Sequence, residues 1–242
     1  MAKEIIAQPK VNEVSNSGSK DLAATPKKDY SNPYGLKPLD VVSMTGVKNN
    51  LFHKIIRWKE AGFKNRNNLS IPVHTGIVVP MNGKLKIVEM KIAQGGGIKV
   101  NPVEQSMPYF KNVTRFKLSD EERNKTINAI QKDVKRGVGY AMKPTDVARF
   151  IIGSDTHEKK ELKRAVCSEY VARKIDENTK YNVNKVWHKT TPADLVNPTS
   201  FDVKIPKDGN VASSEIKVLN FDRKLKKVAA SKFDKGLSGA SE

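Results

Sequence analysis

The chain has 242 residues, a formal net charge of +18 and a hydrophobic content of 38%. This length suits one domain with tails or two small ones, and the hydrophobic content is enough for one core once polar tails are set aside. A single cysteine excludes an internal disulfide and a cysteine-rich zinc site. The charge predicts attraction to polyanions, such as nucleic acid, anionic lipid, an acidic bacterial wall or an acidic protein.

Polar tails flank the predicted folded part. Residues 1–33 are rich in Lys, Asn, Ser and Ala, and they carry too little apolar surface to offset the entropy of ordering, so we predict a flexible N-terminal tail. We place the folded domain at 34–203 and a flexible basic tail at 204–242, within which 216–221 could dock as a strand or short helix. No apolar leader segment follows Met1, and no apolar run is long enough to span a membrane. We therefore expect a cytosolic protein, or one that leaves the cytosol without a signal peptide.

Strand signals, which are short runs of apolar and β-branched residues bounded by turn residues, dominate the first half of the domain. The dipeptide Asn82-Gly83 is typical of a two-residue hairpin turn between two of these runs. The glycines at 95–97 could cradle a phosphate, but no Lys-Ser/Thr pair follows them, which favours a turn. The predicted strands are 39–44, 73–79, 85–90, 97–103 and 112–118.

Helix signals dominate the second half. Ser119 and Glu122 form the pattern of a capping box, and Gly137 is placed to end the helix that the box begins. Strands followed by helices predict an α+β fold with an antiparallel sheet and helices packed around it. The predicted helices are 51–58, 119–137, 145–152, one starting at Cys167, and a short one with Thr191 as N-cap and Pro192 at its first position.

Two residues have the types needed for thiol catalysis. Cys167 lies at the predicted start of a helix, where unpaired N–H groups and the helix dipole favour a thiolate. His74 lies at the head of an apolar strand, and an imidazole can accept the proton of a thiol. Taken alone, a free cysteine is more often a small buried hydrophobe, and a strand histidine is more often structural. The remaining histidines have no spacing with acidic residues that suggests a metal site, so we expect no metal and no cofactor.

The order of these motifs resembles a known family. A histidine strand, a hairpin, a strand with Glu89, helices and then a cysteine at a helix start are arranged as in the circularly permuted, NlpC-type papain-like cysteine hydrolases. These are the YiiX-like group, which are kin to lecithin retinol acyltransferase. The matching segments are Leu39–Val42, His74–Val78, Ile87–Glu89, Gly139–Tyr140, Cys167–Val171 and Thr191–Leu195.

The resemblance implies a papain-like domain and assigns roles to residues. It makes Cys167 the nucleophile, His74 the base and Glu89 the residue that orients the imidazole. The chemistry agrees, because a carboxylate on the strand paired with that of His74 could fix the tautomer and stabilise the imidazolium. The resemblance also gives Asp40 a structural or substrate-side role, and it points to Tyr140 and Ser168 on the substrate side. The alternative for Ser168 is that it only shapes the start of its helix.

Three classes of function remain open from the sequence. The first is a thiol hydrolase of the peptidase or amidase type, which cleaves an amide or ester through an acyl-Cys167 intermediate. Its favoured substrate is peptidoglycan peptide, with delivery in a phage particle. The second is a structural or attachment component of an assembly such as a virion, whose proteins would bind the tails and whose papain-like site would be secondary or lost. Nucleic acid is a third partner, bound without sequence specificity and with strong salt dependence.

Overall fold

A six-stranded antiparallel sheet forms the centre of the fold. Its strands lie in the spatial order Ile216–Asn220, Phe110–Phe116, Val41–Met44, His74–Met81, Lys84–Lys91 and Gly97–Pro102. The computed structural model describes residues 34–46, 51–62, 64, 66–91, 96–141, 163–203 and 216–221. The sheet strands are β1 (Val41–Met44), β2 (His74–Met81), β3 (Lys84–Lys91), β4 (Gly97–Pro102), β5 (Phe110–Phe116) and β10 (Ile216–Asn220). With its helices, this sheet confirms the predicted α+β class.

Helices and two small sheets complete the described part of the chain. β6 and β7 pair in parallel, and β8 and β9 pair antiparallel. The helices are α1 (Leu51–Ala61), α2 (Val103–Ser106), α3 (Asp120–Arg136) and α4 (Cys167–Asn178), and the short strands are β6 (Gly139–Tyr140), β7 (Arg164–Ala165), β8 (Tyr181–Val183) and β9 (Phe201–Val203). Short 3₁₀ turns occupy Met107–Tyr109, Trp187–Lys189, Asp194–Val196 and Pro198–Ser200.

The sheet separates two hydrophobic clusters, because successive side chains of a strand point to opposite faces. Ile77 and Val79 of β2 belong to the larger cluster, which also holds the buried face of α4. Val78, between them, belongs to the smaller cluster, which also holds Met107 and Phe110. β2 is therefore covered on both faces, which explains why it reads as a continuous apolar run.

The hairpin between β2 and β3 forms at the predicted turn. Asn82 and Gly83 both have positive φ, 52° and 75°, as a type I′ turn requires. The turn fixes the register, in which Met81 pairs with Lys84 and Gly76 pairs with Glu89. The register in turn sets which side chains of the two strands are neighbours.

The capping box of α3 is also confirmed. The backbone N–H of Glu122 donates to Ser119 Oγ at 3.2 Å, and the backbone N–H of Ser119 donates to Glu122 Oε2 at 2.8 Å. Ile130 is fully buried, and Gly137 ends the helix in the left-handed conformation. α3 packs beside α4.

Three predictions need correction or comment. The short helix predicted after Thr191 forms only as the 3₁₀ turn Asp194–Val196, which begins two residues after the predicted first position at Pro192. The predicted cap itself is present: the backbone N–H of Asp194 donates to Thr191 Oγ1 at 3.3 Å, and the Asp194 carboxylate accepts from the backbone N–H and the hydroxyl of Thr191. The helix predicted at 145–152 lies outside the described residues. Residues 216–220, which we assigned to the C-terminal tail, form the edge strand β10.

Candidate active site

His74 and Glu89 are brought together by the β2–β3 pairing. His74 is the first residue of β2, and Glu89 is paired with Gly76 two residues further along. A Cβ atom at Gly76 would lie 2.7 Å from Ile87 Cγ2, 3.1 Å from the Val88 carbonyl oxygen and 3.3 Å from Glu89 Cβ. Glycine is thus the residue that lets β2 approach β3 beside Glu89.

A short hydrogen bond joins the two side chains. His74 Nε2 lies 2.6 Å from Glu89 Oε2, and the Glu89 side chain is fully buried. Burial disfavours the charged form of Glu89, but the hydrogen bonds and positive charges of His74 and Lys91 outweigh it and lower the pKa of Glu89 to about 2. The carboxylate is therefore ionised throughout the neutral range.

Cys167 interacts with the same imidazole. It is the first residue of α4, only 2% exposed, and its thiol is within hydrogen-bonding range of His74. Burial opposes protonation of the His74 ring, but the charge and hydrogen bonds of Cys167 and Glu89 outweigh it and raise the pKa of His74 to about 10. The surroundings thus favour the protonated form of the His74 ring.

The geometry assigns the two ring nitrogens of His74 to different partners. Nε2 faces the Glu89 carboxylate, so Nδ1 is the nitrogen left for the Cys167 thiol. A carboxylate accepts only, so Nε2 carries a proton and Nδ1 can accept the thiol proton. Glu89 therefore fixes the tautomer that a general base for Cys167 needs.

Glu89 has three further partners that our sequence reasoning missed. Asn101 Nδ2 donates to Glu89 Oε1 at 2.5 Å, Ser106 Oγ donates to the same oxygen at 3.2 Å, and Lys91 Nζ lies 2.8 Å from it. Lys91 could have been found, since it is two residues from Glu89 on the same strand and shares its face. Asn101 and Ser106 carry no local signal, because the register of β4 and the position of α2 bring them there.

Asp40, assigned to the substrate side, is engaged in an ion pair. Its carboxylate accepts from Arg115 Nε at 2.8 Å and from Arg115 Nη2 at 2.7 Å. The backbone N–H of Lys37 donates to it as well, at 2.7 Å. Asp40 is 1% exposed, so these contacts tie the start of β1 to β5.

Tyr140 and Ser168 both lie close to the candidate nucleophile. Burial and the neighbouring Cys167 raise the pKa of Tyr140 above its usual value. Ser168 follows Cys167 in α4, and its hydroxyl donates to the Thr190 carbonyl oxygen at 2.6 Å. Of the residues assigned to the substrate side, Tyr140 is therefore a neighbour of the thiol, whereas the Ser168 hydroxyl is used in fastening the start of α4.

Two features, a metal-binding cluster and a membrane-spanning helix, are absent from the described residues. Within them, no group of three or more His, Cys, Asp or Glu side chains is arranged to hold a metal ion. The helices of the described ranges also include none that is both long and apolar enough to cross a bilayer.

Comparison with known proteins gives a distant structural likeness. No family model matches the chain, and no curated protein matches it. Among solved structures, the chain is similar to the crystal structure of the metalloprotein yiiX from Escherichia coli O157:H7. The two share 14% identity over 77% of this chain and 97% of that one, with a TM-score of 0.42. At that TM-score, the likeness carries no conclusion about activity.

Proposed function

We propose that this protein is a cysteine hydrolase that cleaves an amide or ester bond through an acyl-Cys167 intermediate. One observation carries the proposal: the His74 imidazole interacts with both the Glu89 carboxylate, at 2.6 Å, and the Cys167 thiol. A buried nucleophile, a base and a group that orients the base are the parts of a catalytic triad, which is recognised by geometry rather than by order in the chain.

The proposed reaction has two halves. In the first, His74 holds the proton of the thiol as an imidazolium, Cys167 Sγ bonds to the substrate carbonyl carbon, and His74 gives the proton to the leaving amine or alcohol as its bond breaks. In the second, His74 takes a proton from water, the hydroxide attacks the thioester, and the thiol leaves with its proton restored. Glu89 stays ionised throughout and stabilises the imidazolium in both halves.

The start of α4 suits the oxyanion of this reaction. Cys167 is the first residue of the helix, so N–H groups of the first turn have no partner within the helix. Together with the positive end of the helix dipole, they favour negative charge developing on the substrate oxygen. The same features are expected of the permuted papain-like fold, which we propose for this domain.

Peptidoglycan peptide is the substrate class that we propose. With a net charge of +18, the protein would concentrate at an anionic cell wall. Delivery as part of a phage particle would bring it to the wall. The substrate class rests on the charge and on the family resemblance, and the experiment below tests it.

The test compares wild-type protein with Cys167→Ala on purified cell-wall sacculi, with released peptides identified by mass spectrometry. We expect release by the wild type only, and loss of release when the wild type is first alkylated at its single cysteine. An activated ester serves as a second substrate. It should leave an acyl group on Cys167, which is detected as an increase in the mass of the intact protein. Equal turnover of both substrates by Cys167→Ala would contradict the proposal and favour the attachment role.

A further inference from the structure

The Glu89 carboxylate is held on the side opposite His74 by a set of donors that the triad itself does not explain. Oε2 receives His74 Nε2, and Oε1 receives Asn101 Nδ2, Ser106 Oγ and Lys91 Nζ. Every one of these atoms is a donor, and a carboxylate offers about four lone-pair positions. Three of the four donors therefore bind Oε1, the oxygen that does not face His74.

The donors come from separate parts of the fold. Asn101 lies on β4, where it pairs with Ile87 of β3, and Ser106 is the last residue of α2. Ser106 is 3% exposed, so its hydroxyl has little access to water as a substitute partner for its hydrogen bond. Any rotation of the carboxylate away from His74 would break contacts to both elements, and buried donors left unpaired are costly.

From this arrangement we infer that Asn101 and Ser106 are positioning residues for the proposed reaction, and that they act through Glu89. They hold the carboxylate in the plane that presents Oε2 to His74, so the imidazole keeps the tautomer and orientation that Cys167 needs. This inference rests on the proposed function, since it concerns the same Cys167, His74 and Glu89 site.

Lys91 contributes in a different way from the two neutral donors. Its ammonium stabilises the Glu89 anion and so helps to lower the pKa of that carboxyl. Its side chain is 39% exposed, so water screens the interaction and can replace it. We therefore assign the orientation of Glu89 to Asn101 and Ser106, and a share of the charge balance to Lys91.

The test measures the alkylation rate of Cys167 by iodoacetamide from about pH 5 to 9, where the thiolate is the reacting species. The chain has one cysteine, so the mass of the intact protein reports on Cys167 alone. For Asn101→Ala and Ser106→Ala we expect the rate near pH 6 to fall by about tenfold, the lower range for residues that orient the histidine ligands of metal sites. Ser106→Thr keeps the hydroxyl and should restore most of the rate.

Matched controls separate positioning from general loosening of the sheet. Ser43→Ala removes a fully buried hydroxyl from β1, and Asn112→Ala removes an amide from β5. Both controls should keep the wild-type pH profile, whereas Asn101→Ala and Ser106→Ala should not. Urea unfolding of each variant reports the fold, and Ser106→Ala carries the test if Asn101→Ala does not fold.

Two different results would count against these ideas, and they are distinguishable. If wild-type Cys167 is activated near pH 6 and both variants retain that profile, the positioning inference is wrong while the proposed function stands. If wild-type Cys167 itself reacts as slowly near pH 6 as an ordinary thiol, the site is not assembled for catalysis and both proposals are overturned.

Discussion

Two buried ionisable side chains, Glu89 in β3 and Arg57 in α1, have opposite surroundings. Glu89 is 1% exposed and Arg57 is 0% exposed. Glu89 has donors on both carboxylate oxygens. Arg57 Nη2 reaches the Gly46 carbonyl oxygen at 3.3 Å, while its Nε and Nη1 have no hydrogen-bond partner in the part of the chain that the structure describes.

The contrast shows that this fold stabilises a buried charge only where neighbouring elements supply hydrogen-bond partners. Neighbouring strands bring fixed donors to Glu89 from two directions, so burial there strengthens each contact. Arg57 is surrounded without a carboxylate contact among the described residues, and burial lowers its pKa. A buried charge without a partner destabilises the native state, so the two sites should respond to mutation with opposite signs.

Removing the Glu89 carboxylate should have the largest effect on stability. In Glu89→Ala, the donors of Asn101 and Ser106 become unpaired in the interior, while Lys91 can turn to water. We expect the free energy of unfolding to fall by about 3 kcal/mol, the low end for breaking a buried pair. Urea denaturation at neutral pH measures this change.

Glu104→Ala is the matched control, because Glu104 is an exposed glutamate on α2, the helix that carries Ser106. Its effect should stay within about 0.5 kcal/mol. Equal effects of Glu89→Ala and Glu104→Ala would show that the contacts of Glu89 contribute nothing to the fold.

Replacing Arg57 should stabilise the protein by a smaller amount. Arg57→Met keeps most of the aliphatic stem and removes two unpaired buried donors together with a charge. We expect the free energy of unfolding to rise by about 1–3 kcal/mol, the cost of leaving a buried polar group unsatisfied. The exposed Lys132→Met on α3 serves as the control and should change little. A loss of stability in Arg57→Met would mean that the guanidinium is satisfied in solution.

The pH dependence of stability should identify the His74–Glu89 pair. The pKa of His74 is raised from 6.5 to about 10, so its contribution is complete below pH 6.5 and is lost as the pH rises through 10. The pKa of Glu89 is lowered from 4.5 to about 2, so its contribution is complete above pH 4.5 and is lost as the pH falls through 2. The stability difference between wild type and His74→Ala should therefore be largest between pH 4.5 and 6.5. A difference that does not vary with pH would contradict the pairing.

Local signals in the sequence predicted much of the fold. Asn82-Gly83 defines its turn by backbone preference, and Ser119 with Glu122 defines a helix start, since both depend on residues close in the chain. Thr191 and Asp194 exchange the hydrogen bonds of an N-cap as predicted, but the turn that follows is the 3₁₀ turn Asp194–Val196 and not a helix that starts at Pro192. The pairing of β10 with β5 joins residues about a hundred positions apart, and no local pattern specifies it.

The candidate site was predictable only in part, for the same reason. The resemblance pointed to His74, Glu89 and Cys167, and the structure brings these three side chains together. A glutamate on a strand is by default expected to face solvent, yet Glu89 is buried. Its buried carboxylate is hydrogen-bonded by Asn101 and Ser106. The register of β4 and the position of α2 bring these two residues to Glu89, and no local pattern specifies either.

The central claim is that His74 activates Cys167, and the alkylation rate of Cys167 as a function of pH tests it most directly. In the wild type we expect fast alkylation to persist down to about pH 6, because an imidazolium held by Glu89 stabilises the thiolate. In His74→Ala, alkylation should become slow below about pH 8, as for an ordinary thiol. Identical profiles for the wild type and His74→Ala would contradict the account.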